Sequence, residues 1–235
     1  FCPCHGSVYD TSGRITGDFA NSVSYVAAAV TGGWSARADD PPSAAAADRL
    51  SEDEQQTLLR LARATIAWVF EHDRMPTPED LGVTLTDRLR ETGAAFVTLT
   101  MQHNLRGCIG DIFPSRPLYR SVMDNACNAA FRDGRFMPLT AQELERVDIE
   151  ISVLTAPRPV ASYRDIVIGR HGMVLNKRGR RAVFLPQVAP EQGWDLPETL
   201  THLSLKAGLP ADAWKEGAQF EVFEAQVFGE QPARR

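Results

Sequence analysis

The alternation of apolar and polar positions divides the chain near residue 50. From Ser51 to about Phe70, the positions Leu58, Leu61, Ala62, Thr65, Ile66 and Val69 recur at helical spacing and predict a helix with one buried face. Ser51 followed by Glu54 forms a capping-box pair at its start. Ala95–Met101 is rich in Phe, Val and Thr and predicts a strand. His103-Asn104 then supplies a turn into a second strand over Arg106–Ile109. Pro117 opens a helix whose face is Leu118, Val122, Ala126 and Ala129. Thr140 with Glu143 caps a short helix, and Val147–Leu154 alternates as a half-buried strand.

Further on, Ile166–Ile168, Met173–Leu175 and Ala182–Leu185 predict short strands joined by tight turns, hence antiparallel pairing. Asp195 with Glu198 caps a helix with the face Leu196, Leu200, Leu203 and Ala207, which Gly208 ends. Phe220–Phe228 predicts one closing strand. Strands without regular helical crossovers indicate the α+β class, with mainly antiparallel sheets flanked by helices. Residues 18–50 carry Gly32-Gly33, Pro41-Pro42 and the run Ala44–Ala47 with little periodicity, and predict a disordered linker.

Composition adds a few exclusions. The 235 residues are 43% hydrophobic and 23% charged, ordinary for a folded globular chain. A net charge of -5 counts against nucleic acid and anionic lipid as general partners. No apolar run approaches the roughly 20 residues of a membrane-spanning helix, and no secretory signal is readable after Phe1. Four cysteines are too few for a disulfide framework, and Cys108 and Cys127 in core-like segments fit a reducing, cytoplasmic setting.

Leu105–Gly110, LRGCIG, concentrates the candidate chemistry. Gly107 permits φ > 0 or close approach of a ligand to the backbone, and Arg106 offers a planar fork to a carboxylate or phosphate. Cys108 lies beside Arg106 and near His103, and cationic neighbours lower a thiol's pKa and make it nucleophilic. The alternative is a small buried hydrophobe in a strand, which spacing alone favours by roughly two to one.

LRGCIG is followed in order by NAAFRDGRF (128–136), IEISVL (149–154), GRHGMVL (169–175), FLPQV (184–188) with GWD (193–195), and LKAGLPADAW (205–214). This series resembles the AMMECR-type family, also called AmmeMemoRadiSam system protein A, over residues 51–235. The resemblance implies a two-lobed domain associated with a Memo-type protein and a radical S-adenosylmethionine protein. It also implies a site at Arg106, Gly107 and Cys108, with Asp133, Arg135, His171 and Gln187 as neighbours. Asp133 and Arg135 have a simpler reading as a salt bridge across a turn, and His171 as an exposed turn residue. Where that family often carries a cysteine before KAGL, this chain has Ser204.

Residues 1–17 differ in kind. Cys2-Pro3-Cys4-His5-Gly6-Ser7 resembles the second half of a Rieske iron-sulfur site. That resemblance implies Cys2 and His5 as metal ligands and Cys4 as a disulfide partner. A Rieske centre takes two cysteines and two histidines, so no intact 2Fe-2S cluster is expected from this chain alone, and no other cofactor is indicated. Three functions follow as expectations. The leading one is binding of an anionic substrate or partner at LRGCIG, anchored by Arg106, with Cys108 as nucleophile. The others are a non-catalytic adaptor for Memo-type or radical S-adenosylmethionine partners, and a Rieske remnant fused to this domain.

Overall fold

The computed structural model describes residues 49–72 and 74–230, preceded by an antiparallel ladder of β1 (Asp10–Thr11) with β2 (Ser24–Tyr25). Cys2, His5 and nearly all of the expected linker lie outside the described residues. From residue 49 on, the described residues form two compact units, one over Ala156–Ala225 and one over residues 49–155 and 226–230. It is α+β, as the pattern of elements predicts.

In the unit that includes LRGCIG, α1 (Glu52–His72) starts at the expected capping box. Ser51 N–H donates to Glu54 Oε2 at 2.9 Å, and Glu54 N–H donates to Ser51 Oγ at 3.3 Å. Its inward face is Leu58, Leu59, Leu61, Ala62, Thr65 and Ile66. After α2 (Asp87–Arg90), β3 (Thr92–Met101) forms the centre of an antiparallel sheet with β4 (Asn104–Gly110) and β6 (Asp148–Leu154). The strand order is β11-β6-β3-β4, with β5 (Arg116–Pro117) pairing the start of β3 and β11 spanning Ala225–Gly229. Ala95, Val97 and Leu99 of β3 point into a core shared with α1 and α3 (Leu118–Phe131). α4 (Ala141–Leu144) carries the full Thr140–Glu143 capping box.

The other unit is a sheet of order β7-β10-β8-β9, with β7 (Arg158–Val160), β8 (Gly172–Lys177), β9 (Arg180–Phe184) and β10 (Gln219–Phe223). Met173, Leu175, Phe220 and Val222 pack with Leu200 and Leu203 of α6 (Leu196–Lys206), behind the short α5 (Val188–Gln192). Asp195 and Glu198 cap α6 reciprocally, and Gly208 takes φ +69° just past its end.

Three expectations are corrected. The strand expected at Arg106–Ile109 is β4, but the turn before it is Gln102-His103 instead of His103-Asn104, both residues at positive φ, as a two-residue hairpin requires. Ile166–Ile168 is not a strand. Ser162 and Asp165 cap a 3-10 turn at Tyr163–Asp165, and the Val167 N–H is taken by His171 Nδ1 at 3.0 Å, so no ladder bond is left for it. Phe220–Phe228 is two strands, β10 and β11, which part at Glu224 and join different sheets.

Candidate functional site

The geometry around Cys108 follows from its place on an edge strand. β4 is the last strand of its sheet, so its outer N–H and C=O groups have no strand partner. The turn after α3 covers them. Cys108 N–H donates to Asp133 Oδ2 at 2.9 Å, and Arg135 Nη2 donates to Cys108 O at 3.3 Å. Arg135 in turn grips Asp133 with Nε on Oδ1 at 2.8 Å and Nη2 on Oδ2. Both side chains of this pair are buried. Burial alone would raise the Asp133 pKa, but the Arg135 guanidinium and the Cys108 N–H outweigh it and hold the carboxyl below its usual range. Asp133 is thus a fixed anion that closes a strand edge.

Cys108 is 3% exposed, and its Sγ accepts the Thr98 hydroxyl at 3.2 Å across the β3–β4 pair. The half-buried Cys127 has its thiol pushed up to about 12 by burial and then by the charge of Asp124. Gly107 faces the opposite way. A Cβ there would stand 2.2 Å from Ala129 O, so the residue lets β4 lie against the α3 backbone.

Arg106 sits where the β3–β4 register shifts. It donates from Nε to Glu143 Oε1 at 3.0 Å and from Nη2 to Glu143 Oε2 at 3.1 Å, a parallel fork to a carboxylate. These bonds, then the Thr140 N–H, pull the Glu143 pKa down to about 2. The third guanidinium nitrogen, Nη1, is buried with no hydrogen-bond partner among the described residues. Phe136 lies between the two guanidiniums, its ring centre 5.3 Å from Arg135 Cζ and 6.0 Å from Arg106 Cζ. Met137 next to it is 81% exposed.

The chain matches the model of the family AMMECR1 over residues 59–228. It belongs to the AMMECR1 family. It is 39% identical over 186 residues to protein Mbar_A1807 of Methanosarcina barkeri, covering 77% of this chain and 92% of that one. It is likewise 40% identical over 194 residues to protein MK0488 of Methanopyrus kandleri, covering 78% and 92%. Its fold is similar to the crystal structure of the uncharacterized protein PH0010 from Pyrococcus horikoshii, with a TM-score of 0.70 at 34% identity over 79% of this chain and 95% of that one.

Within the AMMECR1 chain, the structure gathers Arg106, Cys108, Asp133 and Arg135 at the β4 edge. His171 and Gln187 belong to the other unit. His171 is buried, not exposed, because its ring holds the turn at Val167. Burial, then Arg158 and Arg170, lower its pKa and favour the neutral ring that this acceptor role needs. Gln187 is the residue before α5 and makes no side-chain capping bond. Among the described residues no group of three or more His, Cys, Asp or Glu is placed to hold a metal ion.

Motif reading missed two AMMECR1 residues of the site. Glu143 was read only as a helix cap, although it also neutralises Arg106. Glu150 pairs with Thr98 across β3–β6, so Cys108, Thr98 and Glu150 form one row across the sheet. Glu150 is an exposed residue, yet the surrounding atoms partly desolvate its carboxyl and raise its pKa, and no hydrogen bond from a described residue offsets this. Its signal was a lone acid between Ile149 and Ile151.

Proposed function

We propose that this AMMECR1-family chain is a non-catalytic recognition module of an AmmeMemoRadiSam-type modification system. It docks a Memo-type or radical S-adenosylmethionine protein through the surface over β4. The observation that carries the reading is the enclosure of the LRGCIG chemistry. Cys108 is buried, and Arg106 and Arg135 each have a carboxylate bound to the guanidinium, so the two cations of the motif region are already engaged by anions. What this region offers outward is Met137 on a turn pinned by two ion pairs, an adaptable apolar contact on a rigid base.

Met137→Asp tests it. Co-purification of the chain with Memo-type and radical S-adenosylmethionine proteins should be lost in this variant while its melting temperature stays unchanged, since the site is exposed. Capture that is indifferent to Met137→Asp would sink the docking surface. A second reading, binding of an anionic substrate with Cys108 chemistry, is favoured by the buried Nη1 of Arg106, which has no hydrogen-bond partner among the described residues. It predicts that Cys108→Ser abolishes turnover while partner capture persists. For residues 1–17 the proposal is a Rieske remnant, and for the protein a cytoplasmic place. Stoichiometric iron and acid-labile sulfide in the purified chain would overturn the former.

A further inference from the structure

The β8–β9 hairpin, in the unit of residues 156–225, breaks two local rules at its tip. Its turn is Arg178-Gly179, at φ +51° and +76°. Such a turn favours Asn, Asp or Gly at its first position, and an arginine there carries its Cβ on a strained, left-handed backbone. The pair that closes the turn is Lys177 opposite Arg180, two like charges facing each other on adjacent strands. An Asn-Gly turn between neutral residues would serve the hairpin better. Local preference is given up where a surface has another use.

The cations are fixed in place and left charged. Lys177 Nζ donates to Ala213 O at 2.8 Å and to Glu216 O at 2.7 Å, and Arg180 Nη1 donates to Gly208 O at 3.0 Å. These acceptors are neutral carbonyls, so the bonds hold both side chains without cancelling their charge. Arg178 and Gly179 are exposed, and a Cβ added at Gly179 would meet nothing within 4 Å, which leaves the tip open to a partner.

The charged groups around the tip set the size of that partner. Arg181 Nε donates to Asn176 Oδ1 at 2.6 Å and Asn176 Nδ2 to Glu221 Oε2 at 3.1 Å, which ties Arg181 to an anion. The 3-10 turn at Ala213–Lys215, which Lys177 grips, carries the exposed Lys215 between Asp212 and Glu216. The positive surface is therefore short and bounded by carboxylates, on a chain of net charge -5. A nucleic acid or an anionic membrane would extend beyond it onto acidic surface and be repelled there. Residues 177–181 also include no aromatic ring for a base and no apolar side chain for a bilayer. A short acidic peptide covers the tip alone.

We propose that the β8–β9 tip is a docking point for a short acidic segment of a protein partner. Arg178 offers a planar fork to one carboxylate, and Lys177 and Arg180 supply fixed charge beside it. The tip lies in the other unit from β4, and this docking point stands independently of the β4 surface.

The test titrates the isotope-labelled full chain with a hexa-glutamate peptide at low salt and follows the backbone amides by NMR. The largest shifts should fall at residues 177–181, and added salt should weaken binding. Arg178→Gly removes a charge and relieves the turn, so affinity should fall by about threefold while the melting temperature rises. A merely structural arginine would not move the two in opposite directions. Arg60→Gln, at an exposed arginine of α1, should change neither. Shifts centred elsewhere, or an affinity unaltered by Arg178→Gly, overturn the proposal. Tighter binding of the tip to a DNA duplex or to phosphatidylserine vesicles than to the peptide overturns it as well, because a long polyanion would then be the better ligand.

Discussion

Single atoms decide the character of β4. Gly107 is needed because the α3 backbone occupies the place of its side chain, at 2.2 Å from an added Cβ to Ala129 O. Gly107→Ala should therefore destabilise the fold by about 3 kcal/mol through forced separation of strand and helix. Urea unfolding measures this, and a loss under about 0.5 kcal/mol would mean that α3 shifts freely. The sequence showed that a glycine mattered at 107, but not why. Close approach to a ligand and close approach to a helix leave the same residue behind. Cys108 had the same ambiguity, and its partners Thr98 and Asp133 stand 10 and 25 residues away in the chain. Separations of that size are set by register and by the turn after α3, which no local pattern contains.

At the level of elements, patterning served well where one face is dry and one wet. The helix at Ser51, the α6 helix and the alternating β6 all stand where apolar spacing puts them. It failed where the backbone's hydrogen bonds go to side chains instead of strands, as at Val167, and where strands change sheet, as at Glu224. The edge of β4 is such a side-chain closure. Asp133→Ala would leave the Arg135 charge and the Cys108 N–H without their acceptor in a buried place, at a cost of about 3 kcal/mol. Asp133→Asn keeps an acceptor for the N–H and should cost less. Equal losses for the two, by chemical denaturation, would show that charge alone matters.

For the molecule as a whole, Glu150 sets a pH dependence. Its folded pKa lies above its ordinary 4.5, so ionisation works against the folded state. Below pH 4.5 the acid is protonated folded or unfolded and contributes nothing. As pH rises past 4.5 and through the folded pKa, the charged form costs stability. Glu150→Gln should match the parent's melting temperature near pH 4 and exceed it by pH 8. An equal gain at both would assign the effect to packing instead of charge.

The parting of β10 from β11 has a consequence in time. β11 flanks β6, and beyond it Glu230 accepts Arg63 and the Ile149 N–H, yet all of this follows the entire unit of residues 156–225 in the chain. On the ribosome, residues 49–155 emerge first and wait with the outer side of β6 bare. The intervening unit can complete its own sheet as soon as β10 is out. The first unit to be made is the last to be finished, and until then its open β6 edge is where a chaperone or a neighbouring nascent chain has its chance to pair.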